Sequence, residues 1–169
     1  PYDQARGVYR YGAQRIPVFT SVGDQPCALL GALLQPGELS INVATGSQVS
    51  HVTPGFHAGD YQVRAFFDGV FLNTVPHLPA GRALNALIGL LDEFGRSQRR
   101  PLRDPWRYIE HAAARAPSTD LRVDLNVFAG QHQHGGSILH VRESNLTAGQ
   151  LFRAAFEQMA DTYRAAAER

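Results

Sequence analysis

Lysine is absent from this sequence, and all 16 of its cationic side chains are arginine. A phosphate-binding loop that ends in Gly-Lys-Ser/Thr is therefore excluded, and so is catalysis through a lysine Schiff base. If the chain binds a nucleotide, it must use backbone amides, hydroxyls and carboxylates, or groups that another segment supplies.

Cysteine is almost absent, since Cys27 is the only one. No disulfide can form within the chain, which fits a reducing, cytoplasmic setting, and we expect Cys27 to pack as a small core residue. No apolar run reaches the length of a bilayer span. The net charge of +1 gives no reason to expect a nucleic-acid or membrane partner.

What the sequence does contain is a globular balance of 44% apolar and 18% charged residues in a chain of 169. Alternating and helical apolar patterns predict an α/β class of fold, with a mixed sheet and helices packed on it. The predicted strands cover residues 16–22, 39–43, 48–53, 61–67, 70–75, 121–127 and 137–141. The predicted helices cover 26–34, 105–114, a segment that starts at 79–81, and a C-terminal segment after the Thr147–Gln150 capping box.

The first candidate site is Gly23-Asp24-Gln25, between a predicted strand end and a predicted helix start. Ligands of open α/β sheets bind at such places. Asp24 is positioned there to take a proton from a substrate hydroxyl, and Gln25 to hold a neighbouring hydroxyl. The alternative is that Asp24 only caps the helix.

The second candidate is the turn Ala44-Thr45-Gly46-Ser47 between two predicted strands. A small turn of this kind lets backbone amides approach a phosphate oxygen, and the Thr45 hydroxyl adds a donor. The alternative is an ordinary hairpin turn with the glycine at positive φ.

The third candidate is Gly81 with Asn85 one helical turn later. A helix N-terminus with a bare glycine can accept a nucleotide phosphate or ribose, and Asn85 would project from the same face. The alternative is a plain helix start with an exposed amide. A fourth pattern, His132 and His134, has the spacing of a metal pair on a strand, although a polar loop explains it as well.

Three motifs occur in a fixed order: SVGDQPCALLGALL, then ELSINVATGSQVS, then AGRALNALIGLL. This series resembles the FGGY carbohydrate kinases, the group of glycerol, xylulose, ribulose, gluconate and sedoheptulose kinases. INVATGSQVS and NLTAGQLFRAAFEQMADTYRAAAER are most similar to the sedoheptulokinase branch. The resemblance covers nearly all of the chain.

The resemblance implies two ribonuclease-H-like domains of the actin-like ATPase fold, closing on a cleft. Residues 1–169 would be an incomplete second, C-terminal domain, with the N-terminal domain and the glycine-rich adenosine motif outside the chain. A start without Met and an end within a helical pattern agree with that expectation. The function implied is transfer of the ATP γ-phosphoryl group to a sugar hydroxyl, with a ketose such as sedoheptulose as first choice.

Site residues follow from the same resemblance. Asp24 would be the general base and, with Gln25, would contact the sugar. Thr45 and Gly46 would belong to the second phosphate loop. The nucleotide contacts would be Gly81 and Asn85.

The cofactors implied are ATP and Mg²⁺, with the Mg²⁺ ligands mainly on the domain outside this chain. Two departures from the family pattern are Ala44, where glycine is usual, and Asn85, where glutamine is usual. Because half of a cleft cannot exclude water or hold Mg²⁺ between phosphates, we expect the isolated chain to be inactive. A non-catalytic sugar- or nucleotide-binding module and a metal hydrolase built on His132 and His134 remain the alternatives, and the oligomeric state stays open.

Overall fold

The described residues, 2–127 and 135–169 of this computed structural model, divide into two units. The first unit comprises the described residues up to Ile41, together with Val49–Pro76 and Arg169, and the second comprises Asn42–Gln48 and the described part of His77–Glu168. The strands are β1 (Gly7–Tyr11), β2 (Gln14–Val18), β3 (Leu39–Val43), β4 (Ser47–Thr53), β5 (Gln62–Ala65), β6 (Phe71–Leu78), β7 (Arg122–Asp124) and β8 (Ser137–Leu139). The helices are α1 (Asp24–Gly31), α2 (Gly81–Ser97), α3 (Pro105–Arg115) and α4 (Ala148–Ala167).

A hairpin of β1 and β2 lies near the start of the chain, where the sequence predicted a single strand over 16–22. The two strands pair antiparallel from Gly7 opposite Val18 to Tyr11 opposite Gln14, and Gly12 takes a left-handed φ of 58° in the turn. The predicted strand was therefore wrong in its bounds, because the extended residues after Val18 belong to no ladder among the described residues.

Four strands form the main sheet in the order β3-β4-β6-β5. Strands β5 and β6 pair antiparallel from Gln62 opposite Thr74 to Ala65 opposite Phe71. The Asp68-Gly69 dipeptide predicts a two-residue hairpin turn with positive φ at both residues, and their φ values of 57° and 81° confirm the backbone conformation. The loop is longer than the predicted two residues, since Phe66 N–H donates to Val70 O across it.

Strand β3 is confirmed. Its alternating pattern predicts a half-buried strand, but its apolar side chains are not buried. Leu39, Ile41 and Val43 point one way along the strand and are each about half exposed. β3 is the edge strand of its sheet. The alternation thus identified an apolar face, although that face stays open to solvent in the described residues.

The core of the first unit lies between α1 and the sheet. Leu29, Val52 and Leu72 are buried together. Partly buried side chains complete this cluster: Leu34, Phe66 and Val70. Cys27, on the same helix, is exposed, so the expectation of a core cysteine was wrong. It lies on the face of α1 that does not reach this core.

The core of the second unit joins α2, α3 and α4 with β7. Its largest fully buried side chains include Phe152, Ile109 and Val123. The predicted C-terminal helix is confirmed together with its cap, since Thr147 Oγ1 accepts from the N–H of Gln150 at 3.3 Å. The short pair β7–β8 is antiparallel and shorter than the two predicted strands.

A buried carboxylate closes the C-terminal end of α2. Asp92 accepts from Arg96 Nε one turn later and from the backbone N–H of Leu102 at 2.7 Å. The hydrogen bond from Arg96, followed by that from Leu102, lowers the pKa of Asp92 below its ordinary range. The carboxylate therefore stays ionised and holds the segment after α2 against the helix.

The described residues thus form a mixed α/β structure with antiparallel sheets, which agrees with the predicted class. None of its helices combines the length and apolar content needed to cross a bilayer. The narrower ribonuclease-H-like and actin-like names remain predictions.

Candidate functional site

Asp24 is the first residue of α1, in the first unit. The helix N-cap is Gly23, which has no side chain to offer, and Asp24 Oδ1 accepts from the N–H of Gln25 at 2.8 Å. The side chain is exposed, and its second oxygen has no partner among residues 2–127 and 135–169. One oxygen thus accepts a backbone N–H within the first turn, although Asp24 is not the N-cap residue, and the role of the carboxylate as general base stays a prediction.

Gln25 anchors this helix start to the sheet. Its Nε2 donates to Ser50 Oγ at 3.0 Å, and Ser50 Oγ is 3.0 Å from Thr74 Oγ1. Ser50 and Thr74 are both buried, on β4 and β6. Gln25 is therefore partly committed to a structural hydrogen bond, and its contact with the sugar stays a prediction.

The turn over residues 44–46 lies in the second unit and is held by the N-terminus of α2. Ala44 O accepts from Gly81 N–H and Thr45 O accepts from Arg82 N–H, both at 3.1 Å. The N–H groups of Thr45 and Gly46 donate to no group in the described parts of the chain. The carbonyls of Ala44 and Thr45 thus bond to α2, the Ala44 N–H donates to Gly46 O within the turn, and the other two amides are unused by the described residues.

Close packing explains the glycine at 81 but not the glycine at 46. A side-chain carbon added at Gly81 would stand 3.1 Å from Ala44 O, so the close approach of α2 to the turn favours glycine there. An added carbon at Gly46 would meet nothing within 4 Å, and Gly46 does not have a positive φ. The described residues therefore do not require a glycine at 46. They leave open space beside the N–H groups of Thr45 and Gly46.

The structure brings three of the predicted nucleotide residues together: Thr45, Gly46 and Gly81. Asn85 lies one turn further along α2 and is exposed. The N–H of Gly81 already donates to Ala44 O, and the contact of Gly81 with the nucleotide stays a prediction. The sequence missed Trp106, the only tryptophan, whose ring lies 3.8 Å from a carbon added at Gly81.

Tyr163 of α4 fixes the far side of the same turn. Its hydroxyl oxygen lies 2.6 Å from Pro79 O and 2.9 Å from Ser47 Oγ. Because a carbonyl can only accept, Tyr163 donates to Pro79 and accepts from Ser47. The sequence placed Tyr163 in the apolar stripe of the last helix, where it does pack, but its hydrogen bonds could not be read from that pattern.

Replacing Tyr163 by phenylalanine in the 169-residue chain removes both of these hydrogen bonds and leaves the buried Ser47 hydroxyl without its partner. We expect the free energy of unfolding to fall by about 1 to 3 kcal/mol, measured by urea unfolding. The matched control is Tyr108→Phe, an exposed tyrosine of α3, which should change it by less than about 0.5 kcal/mol. Equal effects of the two changes would contradict the anchoring role.

Two predicted features are not tested by these contacts. His132 and His134 lie outside the described residues, and within residues 2–127 and 135–169 no group of three or more His, Cys, Asp or Glu side chains could hold a metal ion. We also expect Asp24 to face the turn of Thr45; the two residues belong to different units, and this remains a prediction.

The solved structures that share this fold include carbohydrate kinases. No protein-family model and no curated protein sequence matches the chain. Solved structures do match it, and three of them are xylulose kinases.

The xylulose kinase from Rhodospirillum rubrum is 20% identical, with a TM-score of 0.73 over 90% of this chain and 31% of that chain. The enzyme from Brucella ovis is 14% identical, with a TM-score of 0.67 over 96% of this chain and 35% of that chain. That from Bifidobacterium adolescentis is 20% identical, with a TM-score of 0.64 over 90% and 29%. The chain therefore spans about a third of the length of these proteins.

At these identities the likeness establishes the fold and leaves the activity to be argued from the residues. It agrees with the predicted resemblance to sugar kinases at this coarse level. The sedoheptulokinase branch, the site roles and the boundaries of the domain stay predictions.

Proposed function

We propose that this chain is part of an ATP-dependent carbohydrate kinase, which transfers the γ-phosphoryl group of ATP to a hydroxyl of a ketose such as sedoheptulose. The observation that carries the proposal is the fold it shares with sugar kinases over most of its length. Within that fold, Asp24 offers an exposed carboxylate and the turn of Thr45 offers free amides.

Asp24 acts as general base in this proposal. Its free oxygen accepts the proton of the sugar hydroxyl as the hydroxyl oxygen forms a bond to the γ-phosphorus, and the bond from that phosphorus to the β–γ bridging oxygen breaks. Gln25 keeps Asp24 in place through Ser50, so the base is oriented before the sugar arrives. The proton ends on Asp24, and the phosphoryl group ends on the sugar.

The free N–H groups of Thr45 and Gly46 fit a phosphate oxygen, because they are exposed and have open space beside them. They would bind and orient the phosphates of ATP, which supplies the phosphoryl group when bound. Asn85 would contact the nucleotide from α2, as the resemblance implies. The acidic groups for Mg²⁺ are expected on the part of the protein outside this chain.

The test is an assay of ADP release by the full-length protein that we propose contains this chain, with sedoheptulose, xylulose, ribulose and glycerol as acceptors. We expect a ketose to give the highest kcat/KM, and the 169-residue chain alone to release no ADP above background. Absence of ADP release with every acceptor would reject the kinase in favour of a binding module. Turnover by the isolated chain would reject its description as an incomplete domain.

The proposal includes a cytoplasmic location for the protein. It rests on the single cysteine, which excludes a disulfide within the chain, and on ATP as the co-substrate. The oligomeric state is left open.

A further inference from the structure

Two arginines stand directly opposite each other on the β1–β2 hairpin. In the antiparallel register of these strands, Arg10 is the partner of Arg15. The side chains of directly opposed residues leave the same face of a strand pair, with their Cβ atoms about 5 Å apart. The two guanidinium groups therefore start from neighbouring points on one face of the hairpin.

The turn of the hairpin fixes this pairing. Tyr11 pairs with Gln14, so the loop consists of Gly12 and Ala13 alone. Gly12 has a φ of 58° and Ala13 has no positive φ, which matches a type II′ turn with glycine at its first central position. Because turn type and loop length set the register of a hairpin, the two arginines stay opposite each other as long as the turn is intact.

The described residues do not neutralise this pair of charges. Both arginines are exposed, and their side chains make no hydrogen bond or ion pair within residues 2–127 and 135–169. The stretch 4–23 contains three arginines (Arg6, Arg10 and Arg15) and no aspartate or glutamate. Like charges directly opposite each other destabilise a strand pair, so a bound anion would relieve an electrostatic cost that the unliganded hairpin carries.

The surroundings of the pair leave room for a ligand. Val8 and Pro17, which are themselves opposed two residues further along the strands, share this face and carry no polar side-chain group. On the other side lies Gly12, where an added side-chain carbon would meet nothing within 4 Å. Both guanidinium groups can therefore turn towards the same ligand.

A phosphate dianion matches two guanidinium groups in charge and in geometry. Each guanidinium presents a planar fork of N–H donors that pairs with two oxygens of a phosphate or a carboxylate. A phosphate monoester carries three acceptor oxygens and about two negative charges at neutral pH, so it can pair with both forks and neutralise both arginines. A single carboxylate supplies half of that charge and would leave one arginine uncompensated.

We propose that Arg10 and Arg15 form a binding site for a phosphate dianion, which is either inorganic phosphate or the phosphate group of a small organic molecule. The hairpin belongs to the first unit, and the site uses none of the residues in the turn of Thr45. The register, exposure and charge of the hairpin carry this proposal, and it does not rest on the proposed kinase function.

The test is titration of the 169-residue chain with inorganic phosphate at pH 7, with sodium chloride adjusted to keep the ionic strength constant. Binding is read from the NMR signals of the backbone amides in β1 and β2. We expect these signals to shift with one saturable Kd, which Arg10→Gln and Arg15→Gln should each raise at least about tenfold. The matched control is Arg122→Gln, an exposed arginine of β7, which should leave the Kd within about twofold.

Hydrogen exchange of the same amides gives a second readout. Without phosphate, exchange in Arg10→Gln should be no faster than in the parent, because the change removes the contact between like charges. Saturating phosphate should slow the exchange in the parent and leave that of Arg10→Gln unchanged, since a ligand stabilises only the state that binds it. Faster exchange in the variant without phosphate would mean that Arg10 serves the hairpin itself, and would overturn the proposal.

Two other anions test the selectivity of the site. Acetate, a monoanion, should bind at least about tenfold more weakly than phosphate. Phenyl phosphate is a monoester, and a Kd below that of inorganic phosphate would identify an organic phosphate as the ligand, whereas a higher Kd would identify inorganic phosphate. The proposal is overturned if the hairpin signals show no saturable shift, if acetate binds as tightly as phosphate, or if the Arg10 and Arg122 changes have equal effects.

Gly46→Val separates this site from the turn of Thr45. Phosphate held at that turn would be weakened by the valine, whereas the Kd read from the hairpin signals should stay within about twofold. A rise of that Kd in Gly46→Val would assign the phosphate to the turn and overturn the hairpin site. Phosphate binding at the hairpin of a full-length protein without kinase turnover would keep this site and reject the kinase.

Discussion

Replacing Asp24 by asparagine in the full-length protein is expected to lower kcat by about 10²- to 10⁴-fold. The change removes the group that accepts the hydroxyl proton, yet asparagine still offers an oxygen to the N–H of Gln25. The start of α1 and its anchor on Ser50 should therefore survive. The KM for the sugar should change little, because the effect falls on the chemical step.

The control for this experiment is Asp161→Asn, which removes an exposed carboxylate on α4 that pairs with Arg164. Exposed pairs of this kind contribute little, so kcat and stability should stay close to those of the parent. A loss of kcat below tenfold in Asp24→Asn, with sugar and ATP saturating, would remove Asp24 from the role of base. A proportional loss of folded protein, seen by circular dichroism, would mean instead that the carboxylate serves the helix.

Gly46→Val in the full-length protein should raise the KM for ATP by about tenfold or more. A branched side chain would fill the open space beside the free amides of Thr45 and Gly46, where a phosphate oxygen must come close. The fold should tolerate the change, since an added carbon meets nothing within 4 Å and the φ of Gly46 is not positive. The effect should therefore appear in KM for ATP, with an unchanged melting temperature.

Gly7→Val is the matched control for the turn variant. Gly7 also has nothing within 4 Å of an added carbon and no positive φ, but it lies in the first unit at the start of β1. It should leave the KM for ATP unchanged. An unchanged KM in the Gly46 variant as well would show that the turn does not bind phosphate.

The elements with strong local signals were predictable from the sequence. The last helix was found with its cap, because Thr147 and Gln150 interact within one turn and the apolar stripe has a helical period. Positive φ at Asp68 and Gly69 was predictable because that dipeptide favours it. The β1–β2 hairpin was missed, although Gly12 between two runs rich in Val, Tyr and Ile was a usable signal.

The sequence motifs named the candidate site residues, but they could not give the contacts between them. That Thr45 and Gly81 lie together depends on the packing of α2 onto a turn some 35 positions earlier in the chain, which no local pattern encodes. The use of the Gly81 amide by Ala44, and the anchoring of the turn by Tyr163, are likewise long-range. The predicted burial of β3 was wrong for a similar reason. Alternation shows that one face of a strand is apolar, but it does not show which element covers that face.

Cys27 is a convenient site for attaching a spectroscopic label. It is the only thiol of the 169-residue chain, it is exposed, and it stands three residues after Asp24 on the same helix, so the two side chains emerge from neighbouring positions. A single maleimide dye or nitroxide can therefore be attached to this chain within one turn of the candidate base without engineering any cysteine in or out. Such a probe would report directly on whatever approaches that helix start.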